Sequence, residues 1–215
     1  LVYGINRFRR QREKQYSTLL NQLAETQKPH TLFLTCSDSR INPNLLTSTD
    51  PGELFVIRNV GNAFPPYSTH QALSEQGALE FAIKALGIRE IVICGHSNCG
   101  AMKAICDSSG VVLSDKPGLK RYLESASFSG LREASCGDHE QAGRINLTTQ
   151  LNNLLTYPFI SELYNAGQLK VHLWLYDLKR ADVDVYNISS QELHPLNAEY
   201  VNFHLAQKNG VSFYQ

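Results

Sequence analysis

The chain has 215 residues, with 20 Lys plus Arg against 20 Asp plus Glu, so its formal net charge is zero. A hydrophobic fraction of 42% with a charged fraction of 19% fits a globular protein able to bury a substantial core. So even a balance gives no general electrostatic case for nucleic acid or an anionic membrane as partner. No apolar run reaches the length of a membrane span. The opening residues Leu1-Val2-Tyr3-Gly4 do not form a signal peptide, so a cytoplasmic location is expected. The five cysteines at 36, 94, 99, 106 and 136 are odd in number and scattered, unlike a secreted disulfide framework. Reduced thiols are expected. No repeat, low-complexity tract or linker divides the chain, so residues 1–215 are expected to form a single domain.

Residues 5–26 read as a polar helical arm with apolar marks at Tyr16, Leu19, Leu20 and Leu23. Its basic cluster Arg7, Arg9, Arg10, Arg12 and Lys14 is either a solvated face or a surface that packs on a partner subunit. Pro29 ends it. Thr31-Leu32-Phe33-Leu34-Thr35 is a short buried strand that delivers Cys36 at its carboxyl end. After a loop, Leu54-Phe55-Val56-Ile57 forms a second strand, and Pro65-Pro66 imposes an extended or turning path. From Ser74 a helix is expected, with Leu79, Ile83 and Leu86 at i, i+4 and i+7 and Gly87 as its cap. Ile91-Val92-Ile93-Cys94 is the third strand, and a helix opens between Asn98 and Cys106.

A short helix near 119–125, a long one near 139–156 with Leu147, Leu151, Leu154 and Leu155 on one face, and a short one from Pro158 to Gly167 follow. Leu169–Tyr176 is a fourth strand. Val183–Ile188 alternates at period two and returns as an antiparallel edge strand. A last helix is expected near 196–208. Strands apolar on both faces, alternating with helices, imply an α/β fold with a mostly parallel sheet of about four strands plus that edge strand, flanked by helices. Sites in such sheets collect at the carboxyl ends of the strands. Cys36 and His96 both lie there, which lets residues about sixty positions apart meet.

The chemistry sits in two stretches, Cys36-Ser37-Asp38-Ser39-Arg40 and Gly95-His96-Ser97-Asn98-Cys99-Gly100. His96 and Cys99 are an H-x-x-C pair at a strand-to-helix turn, and Cys36 arrives from the neighbouring strand end. Two thiolates and an imidazole make a Cys2His zinc site with one open position, which is the catalytic rather than the structural arrangement. Two thiolates cancel the metal's charge. Such a zinc is therefore a weaker Lewis acid than one held by three neutral imidazoles, where bound water is known to ionise near pH ~7. Backbone N–H groups at the helix opening after Asn98 would compensate in part. If the segment after Cys36 is extended, positions 36, 38 and 40 point to one side. Asp38 would then accept a hydrogen bond from the zinc-bound hydroxide, and Arg40 would hold Asp38 by a charge-assisted pair. Asp38 swung onto the metal would instead close the site.

The paired motifs, with Arg58-Asn59-Val60-Gly61-Asn62 and the late Trp174-Leu175-Tyr176-Asp177, resemble the β-class carbonic anhydrases over most of residues 5–190. The resemblance implies zinc on Cys36, His96 and Cys99, with Asp38 and Arg40 as the catalytic dyad. It implies reversible hydration of carbon dioxide to bicarbonate and a proton through zinc hydroxide. It also implies a homo-oligomer, a dimer or a tetramer built of dimers, whose N-terminal helix embraces the partner. One departure concerns substrate contacts. Plant-type members carry a Gln just after their Pro-Pro pair, whereas Pro65-Pro66 is followed by Tyr67, Ser68, Thr69 and His70, and the nearest Gln is Gln71.

Two rival readings stay open on the same residues. One is a hydrolase acting on another small linear substrate such as carbon disulfide. The other is a non-catalytic zinc module or bicarbonate sensor closed by Asp38. Cys94 and Cys106 read as packing residues, and Cys136 with His139 as a free loop thiol rather than a second metal pair. His30, His70, His172, His194 and His204 carry no motif, although one of them would serve to relay protons to solvent.

Overall fold

The computed structural model describes residues 1–11, 16–70, 73–135, 137–197 and 200. Among the described residues, six strands form one sheet: β1 (Thr31–Cys36), β2 (Leu54–Asn59), β3 (Glu90–His96), β4 (Lys170–Asp177), β5 (Asp182–Asn187) and β6 (Glu192–Pro195). Their spatial order is β2-β1-β3-β4-β5-β6. The first four pair in parallel, and β5 and β6 are antiparallel. The expected edge strand β5 is therefore covered by a sixth strand. Glu192-Leu193-His194-Pro195 has one apolar residue among its four and ends in Pro, so neither alternation nor propensity marks it. An edge position is where such a sequence is tolerated.

The helices are α1 (Val2–Gln11), α2 (Ser17–Glu25), α3 (Pro43–Thr47), α4 (Ser74–Glu80), α5 (Gly100–Cys106), α6 (Pro117–Leu123), α7 (Leu131–Ser135), α8 (His139–Leu155) and α9 (Pro158–Asn165). The arm expected over 5–26 contains two of these, beginning at Val2, with residues 12–15 outside the described residues. The helix expected near 196–208 also falls outside them, apart from isolated positions. α4 runs on through a π turn, Phe81–Ala85, and Gly87 ends it in the left-handed region at φ 71°, as its lack of a Cβ permits.

Alternation along the strands divides the core. Leu32 and Leu34 of β1, Ile91 and Ile93 of β3, and Leu173 and Leu175 of β4 pack with Leu147, Leu151 and Leu154 of α8 and with Leu79 and Ile83. Phe33, Val92 and Cys94 point to the opposite face, against Leu46, Leu54 and Trp174. Each fully buried leucine of this kind contributes about 1.5–3 kcal/mol relative to exposure. β1 has β2 on one side and β3 on the other, so the chain reverses direction across the sheet at β1. The crevice beyond the carboxyl ends of β1 and β3 is thus a topological switch point, the usual place for a site in an open parallel sheet.

α8, the longest helix among the described residues, is capped by Asp138, whose carboxylate accepts from the backbone N–H groups of Glu140 and Gln141. Those two bonds hold the Asp138 carboxyl below its ordinary range. A group depressed on folding contributes stability that is present above its unfolded pKa and lost as pH falls through the folded one. Asp138→Ala is therefore expected to lower the melting temperature at pH ~7 and to do so progressively less below about pH 4. A difference that stays constant across that range would mean that the cap is not ionic.

Candidate metal centre

Cys36 closes β1, His96 closes β3, and Cys99 is the residue from which α5 springs. Thr35 and Cys94 are register partners, so the two strand ends stand side by side. The turn between His96 and Cys99 passes through Asn98 at φ 57°, a left-handed conformation that Asn tolerates better than most residues. Asn98 is pinned at both backbone groups: its N–H donates to Glu140 Oε1 at 2.8 Å, and its carbonyl accepts from Arg40 Nη2 at 3.3 Å. The two sulfurs and an imidazole nitrogen of Cys36, Cys99 and His96 lie within 4.8 Å of one another, and all three residues are buried.

The imidazole is oriented for a ligand. A carbonyl only accepts, so the 2.9 Å contact between His96 Nδ1 and the Ser97 carbonyl places the ring proton on Nδ1. Nε2 is left as a lone pair, and it is buried with no hydrogen-bond partner among the described residues. A buried acceptor without a partner costs about 1–3 kcal/mol, and a cation removes that cost. The thiols point the same way. Cys36 is shifted down because Cys99 donates to its sulfur, with the backbone N–H groups of Gly61 and Asp38 adding to this against burial. Cys99 is shifted up, first by giving that hydrogen bond and then by burial, while the N–H groups of Met102 and Ala101 oppose the shift. Side by side in a buried site, the two sulfurs share one proton, and only a cation between them allows both to ionise. Two thiolates and a neutral imidazole are a donor set that fits zinc.

Asp38 and Arg40 do not lie on an extended segment. After Cys36 the chain turns: Ser37 N still donates to Asn59 O at 2.9 Å, and Ile41 N donates to Asp38 O at 3.2 Å. Asp38 drives this turn by accepting the Arg40 N–H on Oδ1 at 3.0 Å, the usual behaviour of an Asp side chain beside its own backbone. The pair forms nonetheless, because the turn brings the guanidinium back. Arg40 Nε donates to Oδ1 at 2.9 Å and Nη2 to Oδ2 at 2.7 Å. These bonds hold the Asp38 carboxyl well below the usual carboxylate range. Asp38 Oδ2 stands 3.8 Å from His96 Nε2, over the cluster.

The sequence gives Arg58 no individual role, but the structure does. Its Nε and Nη2 donate to the Cys36 carbonyl at 3.2 and 3.1 Å, and Nη2 also donates to the Asp38 carbonyl at 2.8 Å. The register partnering of Arg58 with Thr35 was not readable from composition, which is why this clamp is invisible in sequence. The other expectations resolve simply. Cys94 is fully buried, and burial pushes its thiol up to about 12. Cys106 lies beside Ser135 Oγ at 3.4 Å. His139 contacts Glu140 at 3.5 Å, and His172 contacts Glu90 at 2.8 Å. Cys136, Gln71 and His204 lie outside the described residues.

A switch-point α/β sheet here carries a buried dithiol–imidazole cluster that could hold a metal ion, with an ionised carboxylate over it. The carbonic anhydrase family model matches residues 31–183. The carbonic anhydrase of Pseudomonas aeruginosa is 37% identical over 197 residues, covering 89% of this chain and 88% of that protein. That of Helicobacter pylori is 35% identical over 207 residues, covering 90% and 92%. Among solved structures, the β-carbonic anhydrase CcaA superposes with a TM-score of 0.84 at 34% identity, covering 92% of this chain and 91% of that one. The chain belongs to the carbonic anhydrase family, in its β class, whose general reaction is the reversible hydration of carbon dioxide.

Proposed function

We propose that this chain hydrates carbon dioxide reversibly with zinc held by Cys36, His96 and Cys99, and with Asp38 and Arg40 as the catalytic pair. The observation that carries this reading is the unpartnered, buried His96 Nε2 converging with two sulfurs beneath the Asp38 carboxylate. Zinc bound there supplies the Lewis acidity that makes water a nucleophile near neutral pH. Asp38 is ionised and can only accept, so it takes a hydrogen bond from the attacking water and fixes its orientation. As the oxygen–carbon bond forms, one carbon–oxygen π bond of the substrate opens and a proton is left for solvent. Arg40 occupies both carboxylate oxygens of Asp38. That pairing holds Asp38 away from metal ligation and favours the open site over the closed module.

The decisive measurement is stopped-flow carbon dioxide hydration from about pH 6.5 to 9 on protein of assayed zinc content. Activity is expected to rise with pH, to vanish on chelation and to return with zinc. No activity at any pH from fully zinc-loaded protein would overturn the proposal.

The assembly we propose is a homo-oligomer closed by the N-terminal arm. α1 and α2 bury no residue within the chain, yet Val2, Tyr3, Ile5 and Phe8 are between 52% and 91% exposed. An apolar helix face of this kind calls for a covering surface. Ile5→Glu with Phe8→Glu is expected to lower the mass measured by light scattering toward that of a single chain. An unchanged mass would remove the arm from the interface. No helix among the described residues is long and apolar enough to cross a membrane.

A further inference from the structure

Beside its leucines, α8 carries a row of buried amides. Asn146, Gln150 and Asn153 are 1%, 0% and 9% exposed and repeat at i, i+4 and i+7, one helix face. They bind the backbone of the loop that follows β2. Asn146 Nδ2 donates to the Gly61 carbonyl at 3.0 Å. Gln150 Oε1 accepts from Phe64 N at 2.7 Å, and Asn153 Nδ2 donates to Phe64 O at 2.9 Å. The row is locked to itself and to a neighbouring turn: Gln150 Nε2 donates to Asn146 Oδ1 and to Ser127 O, both at 2.8 Å. One turn further, Tyr157 Oη donates to Pro65 O at 2.8 Å. The loop lies outside the strand ladder, so side chains must satisfy its buried backbone groups.

The far end of this array is the metal centre. Gly61, whose carbonyl Asn146 holds, donates its N–H to Cys36 Sγ at 3.4 Å. Gly61 lies at φ 81°, and a Cβ there would meet Phe128 Cε1 at 3.0 Å and Ala101 Cβ at 3.2 Å. The backbone can approach the sulfur because the residue is Gly. A donor on a thiolate is a charge-assisted bond. It stabilises the ionised form of the sulfur, the form a metal ligand must take, and fixes the sulfur in place.

We propose that the amide row of α8 positions the Gly61 N–H on the Cys36 sulfur and thereby sets how firmly zinc is held. Asn146 is the positioning residue, and Gln150 fixes the orientation of its amide. This rests on the reading of Cys36 as a zinc ligand. A purely structural row would change stability without changing the environment of the sulfur.

The test uses the full chain, loaded with cobalt for the thiolate-to-metal charge-transfer band and with zinc for release to a chelator. Asn146→Ala is expected to shift the band and to speed zinc release about 10- to 100-fold, the range for loss of an outer-shell partner. Gln150→Glu keeps the acceptor for Phe64 N but loses the donor to Asn146, so it should shift both readouts in the same direction by less. It also serves if Asn146→Ala does not fold. Leu151→Ala, on the same helix and 5% exposed, should lower the melting temperature and leave the band in place. If the wild type loads normally and the amide variants match Leu151→Ala in band and release rate, the inference is overturned. A wild type that takes up neither metal overturns the zinc reading together with it.

Discussion

Asp38→Asn is expected to cut kcat/KM for carbon dioxide hydration by about 10²- to 10⁴-fold while zinc content stays at the wild-type level. The substitution is nearly isosteric but replaces one accepting oxygen with an amide donor. In the native site both oxygens are engaged by Arg40, and Oδ2 lies 3.8 Å from His96 Nε2. An Asn loses the charge that Arg40 pairs with, and one of its two orientations turns N–H toward the guanidinium. The water facing the site then lacks a fixed acceptor. Because Asp38 is proposed to act on the nucleophile rather than to hold metal, the loss should appear in rate and not in zinc retention. Full activity in the variant would remove Asp38 from the mechanism. Loss of zinc would instead mark it as a ligand and return the closed-site reading.

Cys36→Ser should have the opposite signature, with zinc lost first and activity following it. A Ser hydroxyl stays protonated at neutral pH and is a poor donor to zinc. The drop in zinc affinity should exceed the roughly 100-fold that loss of an outer-shell partner reaches. The fold should survive, because Arg58 grips the carbonyl of residue 36 and not its side chain. Metal analysis after dialysis, beside a melting curve of metal-free protein, separates the two effects. A variant that keeps stoichiometric zinc would exclude Cys36 as a ligand.

The site was more legible in the sequence than its supports. Cys36, Asp38 and Arg40 are neighbours, His96 and Cys99 are three apart, and each group follows a strand apolar on both faces, so spacing alone placed them at one end of the sheet. The backbone path between them was not legible. Asp38 and Arg40 meet through a turn that the Asp38 side chain itself builds, where an extended segment was expected. Arg58 and the amides of α8 act on backbone groups about 20 to 90 positions away, and hydrogen bonds to carbonyls impose no residue-type signature on the other partner. A signal for the amides did exist. Asn146, Gln150 and Asn153 share the spacing of Leu147, Leu151 and Leu154, displaced by one residue, and polar residues in phase beside an apolar stripe mark a second buried face. β6 left no comparable trace, since its short edge strand is defined by pairing with β5.

The meeting of β1 and β3 at their carboxyl ends also bears on how the chain is held shut. Cys36 and His96 are about sixty positions apart, and the whole of β2 and α4 lies in the loop that a shared ion would close. The bond network of an ion there is a removable cross-link on a long segment, and closing such a segment carries an entropy that grows only with the logarithm of its length. Since the donors converge only where β1 and β3 pair, an ion bound to them would add its binding free energy to the folded state alone. Removing it would loosen the clasp around the central strands, so the metal-free chain should open first across this part of the sheet.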